Sequence, residues 1–408
     1  MNDQATAPVA QQQRLHNLDI IRGFALLGIL VMNIQSFAMP SSAYLNPTSF
    51  GDLSGINLWV WNLSNLLADQ KFMAIFSLLF GAGICLFAER AEAKLGKAGG
   101  LHYRRMSWLL LFGLMHGYLI WYGDILYTYA LAGMLLFPLR NKSPRTLVIL
   151  AIILLSIPFA WSMFMQLSLP HFPDEAIASM AESWSPTDEA MAATIAGLTG
   201  SLSEQWAVRS AETAFLQSYV FLTYFLWRAA GMMLLGMALY KWGVLQGKAQ
   251  PKTYKKMMVI GFTLGLPLVA YGIWYNFEHD WRLQDSMFGG GQFNYWGSIG
   301  VALAYVGLWS LLINNGVATW LQQRLSAVGQ MAFTNYLMQS ILCSLVFFGV
   351  GFGLIGELER WQQILVVAAI WIAQLIYSPI WLSKYRFGPM EWLWRSLTYW
   401  QRQPMRRK

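Results

Sequence analysis

Long runs of apolar residues, separated by short polar connections, dominate the chain. A helix needs about 20 residues to cross the hydrocarbon core of a bilayer, and nine runs are close to that length or longer. A shorter run, 124–139, follows the third after only a Gly–Asp break, which predicts the return half of a tight hairpin. The pattern therefore predicts an all-α polytopic transmembrane bundle of about ten spans. The longer runs lie near 19–38, 72–90, 105–122, 145–168, 217–241, 257–276, 295–315, 330–353 and 361–382.

Basic residues cluster in alternate connections and in the C-terminal tail. Cytoplasmic loops of membrane proteins carry an excess of Lys and Arg, so this distribution predicts that both termini are cytoplasmic. Omitting the short fourth span would place the 140–145 loop outside and reverse every later loop, so the charge rule supports keeping it. The basic positions are Arg90, Lys94, Lys97, Arg104, Arg105, Arg140, Lys142, Arg145, Lys241, Lys248, Lys252, Lys255, Lys256, Arg324, Lys384, Arg386, Arg402, Arg406, Arg407 and Lys408.

Three segments outside the spans have patterns of their own. Residues 59–70 predict an amphipathic stretch on the outer surface. The acidic segment 169–216 is long enough to form a small periplasmic helical cap. Residues 383–408 include FGPMEWLWRSLTYW, which predicts a cytoplasmic tail with an interfacial helix. Because no repeat or low-complexity tract interrupts the chain, we expect residues 1–408 to form a single membrane domain.

The composition supports a membrane location. Hydrophobic residues make up 56% of the chain and charged residues 12%, whereas soluble domains are about 25% charged. The net charge of +8 comes from basic residues in short loops, which act as orientation signals, so nucleic acid is not an expected partner. The polar N-terminus lacks a cleavable signal pattern. We therefore expect a multi-pass protein of the bacterial inner membrane, with membrane lipids as partners and a homo-oligomer compatible with the sequence.

Familiar cofactor and metal motifs are missing from the sequence. It contains no P-loop, no Rossmann glycine fingerprint, no serine nucleophile elbow and no His/Cys cluster. Cys85 and Cys343 both lie in apolar spans, so neither a structural disulfide nor a metal site is expected. Any chemistry is expected to proceed without a metal or a tightly bound cofactor.

Charged residues in the first span mark a candidate polar path. Asp19 and Arg22 are three residues apart and therefore share a helix face. Asn33 follows Arg22 by eleven residues, which is three helical turns, so it lies on the same face about 16 Å further outward. The pair Asp19–Arg22 is interpreted either as the inner end of this path or as an anchor at the cytoplasmic surface.

The third span repeats this spacing. Arg105 and His116 are eleven residues apart, Asp124 lies at the following turn, and Tyr127 comes three residues later. A histidine at this depth can transfer a proton near neutral pH, and a nearby carboxylate can fix its tautomer. The alternative is a histidine that is only hydrogen-bonded within the bundle. Of the five histidines, only His116 lies within a predicted span, which makes it the first choice for chemistry.

Other polar residues have equally strong structural and functional interpretations. Arg228 lies near mid-membrane, where it needs a carboxylate, carbonyl groups or an anionic ligand. Lys71 begins the second span and is either an interfacial anchor or a site residue. Asn335 forms a polar face with Tyr336 and Gln339, which either bonds a neighbouring helix or contacts substrate. Glu391 lies in the tail helix and is a candidate substrate contact.

Several segments resemble one family of membrane proteins. LDIIRGFALLGILVMN, KFMAIFSLLFGAGI, HGYLIWYGDIL, GMMLLGMALY, GQMAFTNYLMQS and GPMEWLWR look like the YeiB-like bacterial membrane proteins, which are classed as a domain of unknown function. The resemblance covers nearly the whole chain, and HGYLIWYGDIL and GPMEWLWR are its most specific parts. The resemblance implies the architecture without implying an activity.

A weaker resemblance suggests a reaction. The opening D-x-x-R-G of the first span is similar to the start of two transmembrane acyltransferase groups, the acyltransferase-3 proteins and the heparan-α-glucosaminide acetyltransferases. These take an acyl group from cytoplasmic acyl-CoA and deliver it to a sugar on the far side. The acyltransferase-3 group has a histidine where this chain has Asn33. The heparan-modifying relatives also have Asn there, with their histidine further on, but no histidine follows in the corresponding loop here. The resemblance therefore implies the pathway and leaves the catalytic residue to be found.

Acyl transfer is the leading hypothesis. The donor would be acyl-CoA, acetyl-CoA in the simplest case, and the acceptor a hydroxyl or amine of an envelope glycan or lipid, held with the help of 169–216. A transporter or flippase for a small anionic or lipid-linked solute is the alternative, and a non-catalytic assembly factor is a third. In the acyl-transfer scheme, Arg22, Arg105 and Arg228 bind the donor, His116 and Asp124 act as catalytic base and orienting carboxylate or carry the acyl group, Asn33 or Lys71 stabilises the oxyanion, and Tyr127, Asn335 and Glu391 contact substrate.

Overall fold

The structure, a computed structural model, describes residues 16–407. Within this range every named element is helical, which confirms the prediction of an all-α fold. Short 3-10 turns follow α6 and α7, and π-helical turns precede α11 and α14. The α-helices are α1 (His16–Ala38), α2 (Ser42–Leu45), α3 (Gly55–Leu67), α4 (Lys71–Leu95), α5 (Gly99–Leu119), α6 (Leu126–Leu136), α7 (Pro144–Ser168), α8 (Asp174–Trp184), α9 (Asp188–Thr199), α10 (Leu202–Phe215), α11 (Leu226–Lys241), α12 (Pro251–Glu278), α13 (Leu283–Asp285), α14 (Gly291–Asn314), α15 (Thr319–Gln330), α16 (Ala332–Phe347), α17 (Arg360–Lys384) and α18 (Pro389–Tyr399).

Seven helical segments of the described chain are long and apolar enough to cross a membrane. They contain α1, α4, α7, α11, α12, α14 and α17. The three remaining predicted spans correspond to α5, α6 and α16, which are helical but more polar or shorter. The chain is therefore a helical membrane protein, and the count of ten spans and the orientation stay predictions. We use "cytoplasmic end" for the end that the loop charges assign to the cytoplasm.

The helices differ in what they face. The central helices α1, α4 and α11 bury most of their side chains: α4 packs against both α1 and α11, α1 also packs against α15, and α11 against α7. By contrast, α7, α12 and α17 expose large apolar side chains such as Leu167, Leu264 and Ile372. Exposed apolar surface of this extent is stable where lipid tails rather than water cover it. The central helices therefore form the interior in which polar side chains meet.

Glycines bring α1 and α15 into backbone contact. A methyl group on Gly23 would overlap the Leu325 carbonyl, and one on Gly329 would overlap the Asp19 carbonyl. Small residues of this kind allow membrane helices to approach closely without any hydrophobic driving force between them. We call this contact the α1–α15 seam. It fixes Asp19 and Arg22 beside the point where α15 ends.

The predicted span 330–353 differs from the observed helices. The predicted span begins at Gln330, the last residue of α15; the helix is interrupted at Met331, and α16 then runs from Ala332 only to Phe347. The polar residues before Met331 predict part of a loop and the apolar residues after it predict one long span, so the sequence pattern reveals neither the helix α15 nor the break. The break leaves the first amide groups of α16 inside the protein, where they need acceptors.

The predicted hairpin and cap are both helical. Helices α5 and α6 form the hairpin, and their turn is covered by α10, where Thr213 and Arg209 donate hydrogen bonds to the carbonyls of Gly117 and Tyr118. The segment 169–216 folds into α8, α9 and α10. The turn that carries Asp124 is therefore enclosed by protein.

Candidate functional site

A cavity of about 360 Å³ lies between α1, α4, α5, α16 and α18. Its lining on α4 runs from Phe76 to Lys94, which is about 27 Å along the helix axis. The volume falls within the usual range for small-molecule sites, about 300–1,000 Å³. A cavity this long for its volume suits an extended chain better than a bulky ring.

Basic side chains surround the cytoplasmic end of the cavity. Arg22 bonds Asp19 at 2.9 Å and approaches the Gly329 carbonyl at 3.5 Å. The Arg105 guanidinium lies 4.4 Å from the centre of the Trp394 ring. The excess of positive charge there favours an anionic group. The charged lining consists of Arg22, Arg90, Lys94, Arg105 and Arg395, with Asp19 and Glu391 opposite in sign.

The deeper part of the cavity is apolar and ends at two tyrosines. Phe76, Leu79 and Leu109 line its wall, and Tyr129 and Tyr336 lie at its inner end. The Tyr129 hydroxyl is satisfied by Ser77 and the Met73 carbonyl. The buried Tyr336 hydroxyl donates to no acceptor among residues 16–407, although the Ile125 backbone N–H approaches its oxygen. An unsatisfied buried donor at the end of a cavity is available to a ligand.

A buried hydrogen-bonded series lies behind Tyr336. His116 Nδ1 is 2.8 Å from Asp124 Oδ1, and His116 Nε2 is 2.9 Å from Ser340 Oγ. Both His116 and Ser340 are almost fully buried, at 1% and 2% exposure. The His116 and Tyr336 rings are 5.1 Å apart. The structure therefore brings the predicted His116–Asp124 pair together and adds a serine hydroxyl to it.

Local sequence explains the position of Asp124. Its Oδ2 accepts the Tyr127 backbone N–H at 2.7 Å, which caps the first turn of α6, while its Oδ1 faces His116. Aspartate is among the preferred residues for such a cap. Gly113 on α5 allows this approach, because a Cβ there would overlap the Tyr127 backbone. The carboxylate is thus fixed by α6 before it orients the histidine.

Glu391 links α18 to the break before α16. Its Oε1 accepts the backbone N–H groups of Phe333 and Thr334, and its Oε2 accepts the Thr334 hydroxyl at 2.6 Å. Burial raises the pKa of the Glu391 carboxyl, and the hydrogen bonds from Thr334 oppose that shift. Glu391 therefore caps α16 while it lines the cavity.

Several predicted site residues lie elsewhere. Asn33 is half-buried, and neither it nor Tyr127 lines the cavity. The Tyr127 ring packs on Phe221. Asn335 is fully buried and bonds the Val328 carbonyl and Ser378 of α17. Its side chain thus holds helices together.

Lys71 and Arg228 belong to a second buried cluster. Lys71 donates to Asn294 and to the Asn65 carbonyl at 2.6 Å, and Asn294 in turn donates to Asp69. Arg228 donates to the Tyr295 carbonyl and to Ser298. Lys71 has no exposed surface, so the structure makes it a buried lysine rather than an interfacial anchor.

Sequence reasoning missed several residues of the site. Tyr336 was noted only as part of a polar face, and Ser340 carried no signal because serine is common in helices. Arg395 appeared to be an ordinary tail residue. His102 is a second buried histidine on α5, although it lies outside the predicted span, and its Nε2 faces the Gly133 carbonyl at 3.0 Å. Within residues 16–407 no group of three or more His, Cys, Asp or Glu could hold a metal ion.

Comparisons with known proteins give a family and no activity. A family model described as "Protein of unknown function (DUF418)" matches residues 239–401. The chain is similar to the uncharacterized protein YeiB of Escherichia coli (strain K12), with 31% identity covering 95% of this chain and 96% of that one. It is similar to the uncharacterized protein YxaH of Bacillus subtilis (strain 168), with 32% identity over 98% of both chains. An uncharacterized 39.9 kDa protein of Bacillus acidopullulyticus is 27% identical over 96% of each.

Proposed function

The chain belongs to the YeiB-like DUF418 family of unknown function, and we propose that it is a membrane acyltransferase with cytoplasmic acyl-CoA as donor. The acceptor is a hydroxyl or amine of an extracytoplasmic glycan or lipid, and the location is the bacterial inner membrane. The single observation that supports this most is the shape and charge of the cavity. Its basic entrance leads along an apolar passage to the Tyr336 hydroxyl and, behind it, His116.

The donor matches each part of this passage. Acyl-CoA joins a phosphate-bearing nucleotide to a long, thin pantetheine arm that ends in a thioester. Arg22 and Arg105 face the position of the phosphates, where charge-assisted hydrogen bonds from guanidinium groups are strongest. The arm and the acyl group would occupy the narrow apolar part. The thioester carbonyl would then lie at the inner end of the cavity.

His116 and Asp124 would supply proton transfer. When Asp124 accepts from Nδ1–H, Nε2 is the ring nitrogen left to accept a proton. A base in this position contributes about 10²–10⁴-fold to a reaction rate. Tyr336 would stabilise the oxyanion, because its unpaired hydroxyl is the donor at the end of the cavity. Neither Asn33 nor Lys71, the residues predicted for that role, lines the cavity; His116 and Asp124 do not line it either, but the His116 ring contacts Tyr336, which does.

A carrier is the second candidate, and the Lys71–Arg228 cluster favours it. Two basic residues and Asp69 are buried there, and ionisable groups inside membrane proteins often mark a solute or proton path. A transporter or flippase for a small anionic or lipid-linked solute would use these charges. It would show proton-dependent uptake into liposomes without release of CoA.

Purified protein in liposomes provides the test. Wild-type protein with radiolabelled acetyl-CoA and an envelope extract should release CoA and label an extract component. His116→Gln should lower that rate at least about 100-fold, because the base is lost. His102→Gln is the matched control, since it changes a buried histidine of the same helix that bonds only a backbone carbonyl. Equal rates for wild type and His116→Gln would contradict the role of His116, and uptake without CoA release would favour the carrier.

A further inference from the structure

Ser340 is placed as a nucleophile would be. Its hydroxyl lies 2.9 Å from His116 Nε2, and the opposite ring nitrogen faces Asp124 at 2.8 Å. An ionised Asp124 can only accept, and it then pairs with Nδ1–H and leaves Nε2 to accept the Ser340 hydroxyl. This order of hydroxyl, imidazole and carboxylate is the arrangement that activates a serine for attack on a carbonyl.

The geometry of Ser340 differs from that of several other serines in the described helices. A helical serine usually satisfies its hydroxyl on the carbonyl four residues earlier. Ser340 is 3.4 Å from its own such carbonyl, on Tyr336, and its short bond is to His116. Serines that bond the carbonyl four residues earlier at 2.9–3.0 Å are Ser77, Ser107 and Ser156.

We propose that Ser340 carries the acyl group as a covalent ester between donor and acceptor. This proposal rests on the acyltransferase function proposed above and specifies its course. Ser340 lies one helical turn, about 6 Å, beyond Tyr336 on the outward side of α16. Ser340 does not itself line the cavity, so the thioester must pass the Tyr336 ring to reach it, and an acyl group held there lies between the cytoplasmic cavity and the outer face. CoA can depart before the acceptor arrives, so the protein never needs to be open to both faces at once.

Each step balances in atoms and protons. In the first, Ser340 Oγ attacks the thioester carbonyl, its proton passes to His116 Nε2, and the C–S bond breaks. The departing CoA thiolate takes that proton and leaves as the free thiol. In the second, the acceptor hydroxyl or amine gives its proton to His116 and attacks the ester carbonyl. The bond to Ser340 Oγ then breaks, and the serine regains the proton.

Isotope exchange without acceptor tests the covalent step. If the acyl group moves reversibly to the protein, labelled CoA will exchange into acetyl-CoA when no acceptor is present. Wild-type protein should catalyse this exchange, and Ser340→Ala should lower it by about 1,000-fold or more. Ser344→Ala is the matched control, because Ser344 is buried one turn further along α16 and lies near the Ile120 carbonyl instead of His116. It should leave the exchange within about 2-fold of wild type.

Mass spectrometry identifies the carrier without relying on a variant. Wild-type protein incubated with acetyl-CoA and rapidly denatured should gain one acetyl group, mapped to Ser340 and removed by hydroxylamine. An adduct on His116, or acyl transfer to acceptor with neither exchange nor adduct, would overturn the Ser340 assignment and leave the acyltransferase intact. Failure of wild-type protein to transfer any acyl group from acyl-CoA to an acceptor would overturn the acyltransferase itself.

Discussion

The hydrogen bonds of His116 pair it with Asp124 and Ser340, two buried side chains that would destabilise the protein if they were unpaired. Asp124 and Ser340 are buried with it, and a buried polar group without a partner costs about 1–3 kcal/mol. Asp124 is held by α6 and Ser340 by α16, so the ring cannot turn without breaking both contacts. The histidine is therefore already oriented before any ligand enters.

At this scale the sequence predicted the local partner and missed the distant ones. Eight residues separate His116 from Asp124, so a short turn was enough to suggest their pairing. Ser340 lies 224 residues further along the chain, and only the packing of α16 against α5 brings it close. Tyr336 and Arg395 also reach the cavity through packing between helices, which the residue pattern of a single helix cannot predict.

Arg105 provides a prediction about donor recognition. Arg105→Gln should raise KM for acetyl-CoA about 10-fold, because a charge-assisted hydrogen bond to phosphate is lost. KM for acetyl-pantetheine, which lacks the nucleotide phosphates, should stay within about 2-fold of the wild-type value. Steady-state kinetics with the two donors measure the difference.

Arg324→Gln serves as the control for Arg105. Arg324 is also a basic residue of the cytoplasmic end, but it bonds the Leu375 carbonyl and does not line the cavity. It should leave both KM values unchanged. An equal rise in KM for both donors in Arg105→Gln would mean that Arg105 acts only through its contact with Trp394 of α18.

At the scale of elements, the beginning of α16 depends on another helix. A helix that starts inside a membrane protein must have its first N–H groups satisfied, and Glu391 of α18 accepts two of them. The span pattern predicted an apolar helix from Gln330 onward but could not show the break at Met331, since the polar segment before it was interpreted as a loop and not as the helix α15. Likewise, the tail was predicted as an interfacial helix, but its role as a cap was not.

Replacing Glu391 separates its hydrogen bonds from its charge. Glu391→Ala should cost about 1–2 kcal/mol of unfolding free energy, the usual loss for a cap. Glu391→Gln should cost less than about 0.5 kcal/mol, because its amide oxygen still accepts the N–H groups and burial already raises the pKa of the carboxyl. Unfolding of the detergent-solubilised protein in denaturant measures both.

The control for Glu391 is Glu182→Gln, which changes an exposed glutamate of α8. It should not alter the unfolding free energy. If Glu391→Gln lowered the unfolding free energy as much as Glu391→Ala, the negative charge, acting on the α16 dipole, would be the essential feature.

For the whole molecule, the loop charges predict an orientation that labelling can measure. Lys142→Cys and Lys252→Cys should react with a membrane-impermeant maleimide only after the inner face is opened. Glu182→Cys should react in intact spheroplasts, because 169–216 is predicted to be periplasmic. All three positions are exposed in the structure.

Native cysteines complicate this experiment little. Cys85 and Cys343 are both buried, and the wild-type protein reports their background labelling. If Lys142→Cys were labelled from outside, α6 could not be the short fourth span, and the predicted side of every later loop would be reversed. The Lys142 result thus decides between the ten-span topology and one with fewer crossings.

The α1–α15 seam also determines how the cavity can admit a molecule. The backbones of α1 and α15 are in direct contact there, so the side of the entrance formed by Arg22 and Gly329 cannot easily move apart. The facing rim belongs to α18, a short surface helix attached through Trp394 and Glu391. Of these two sides, α18 is therefore the one that we expect to move when the entrance widens to admit a molecule.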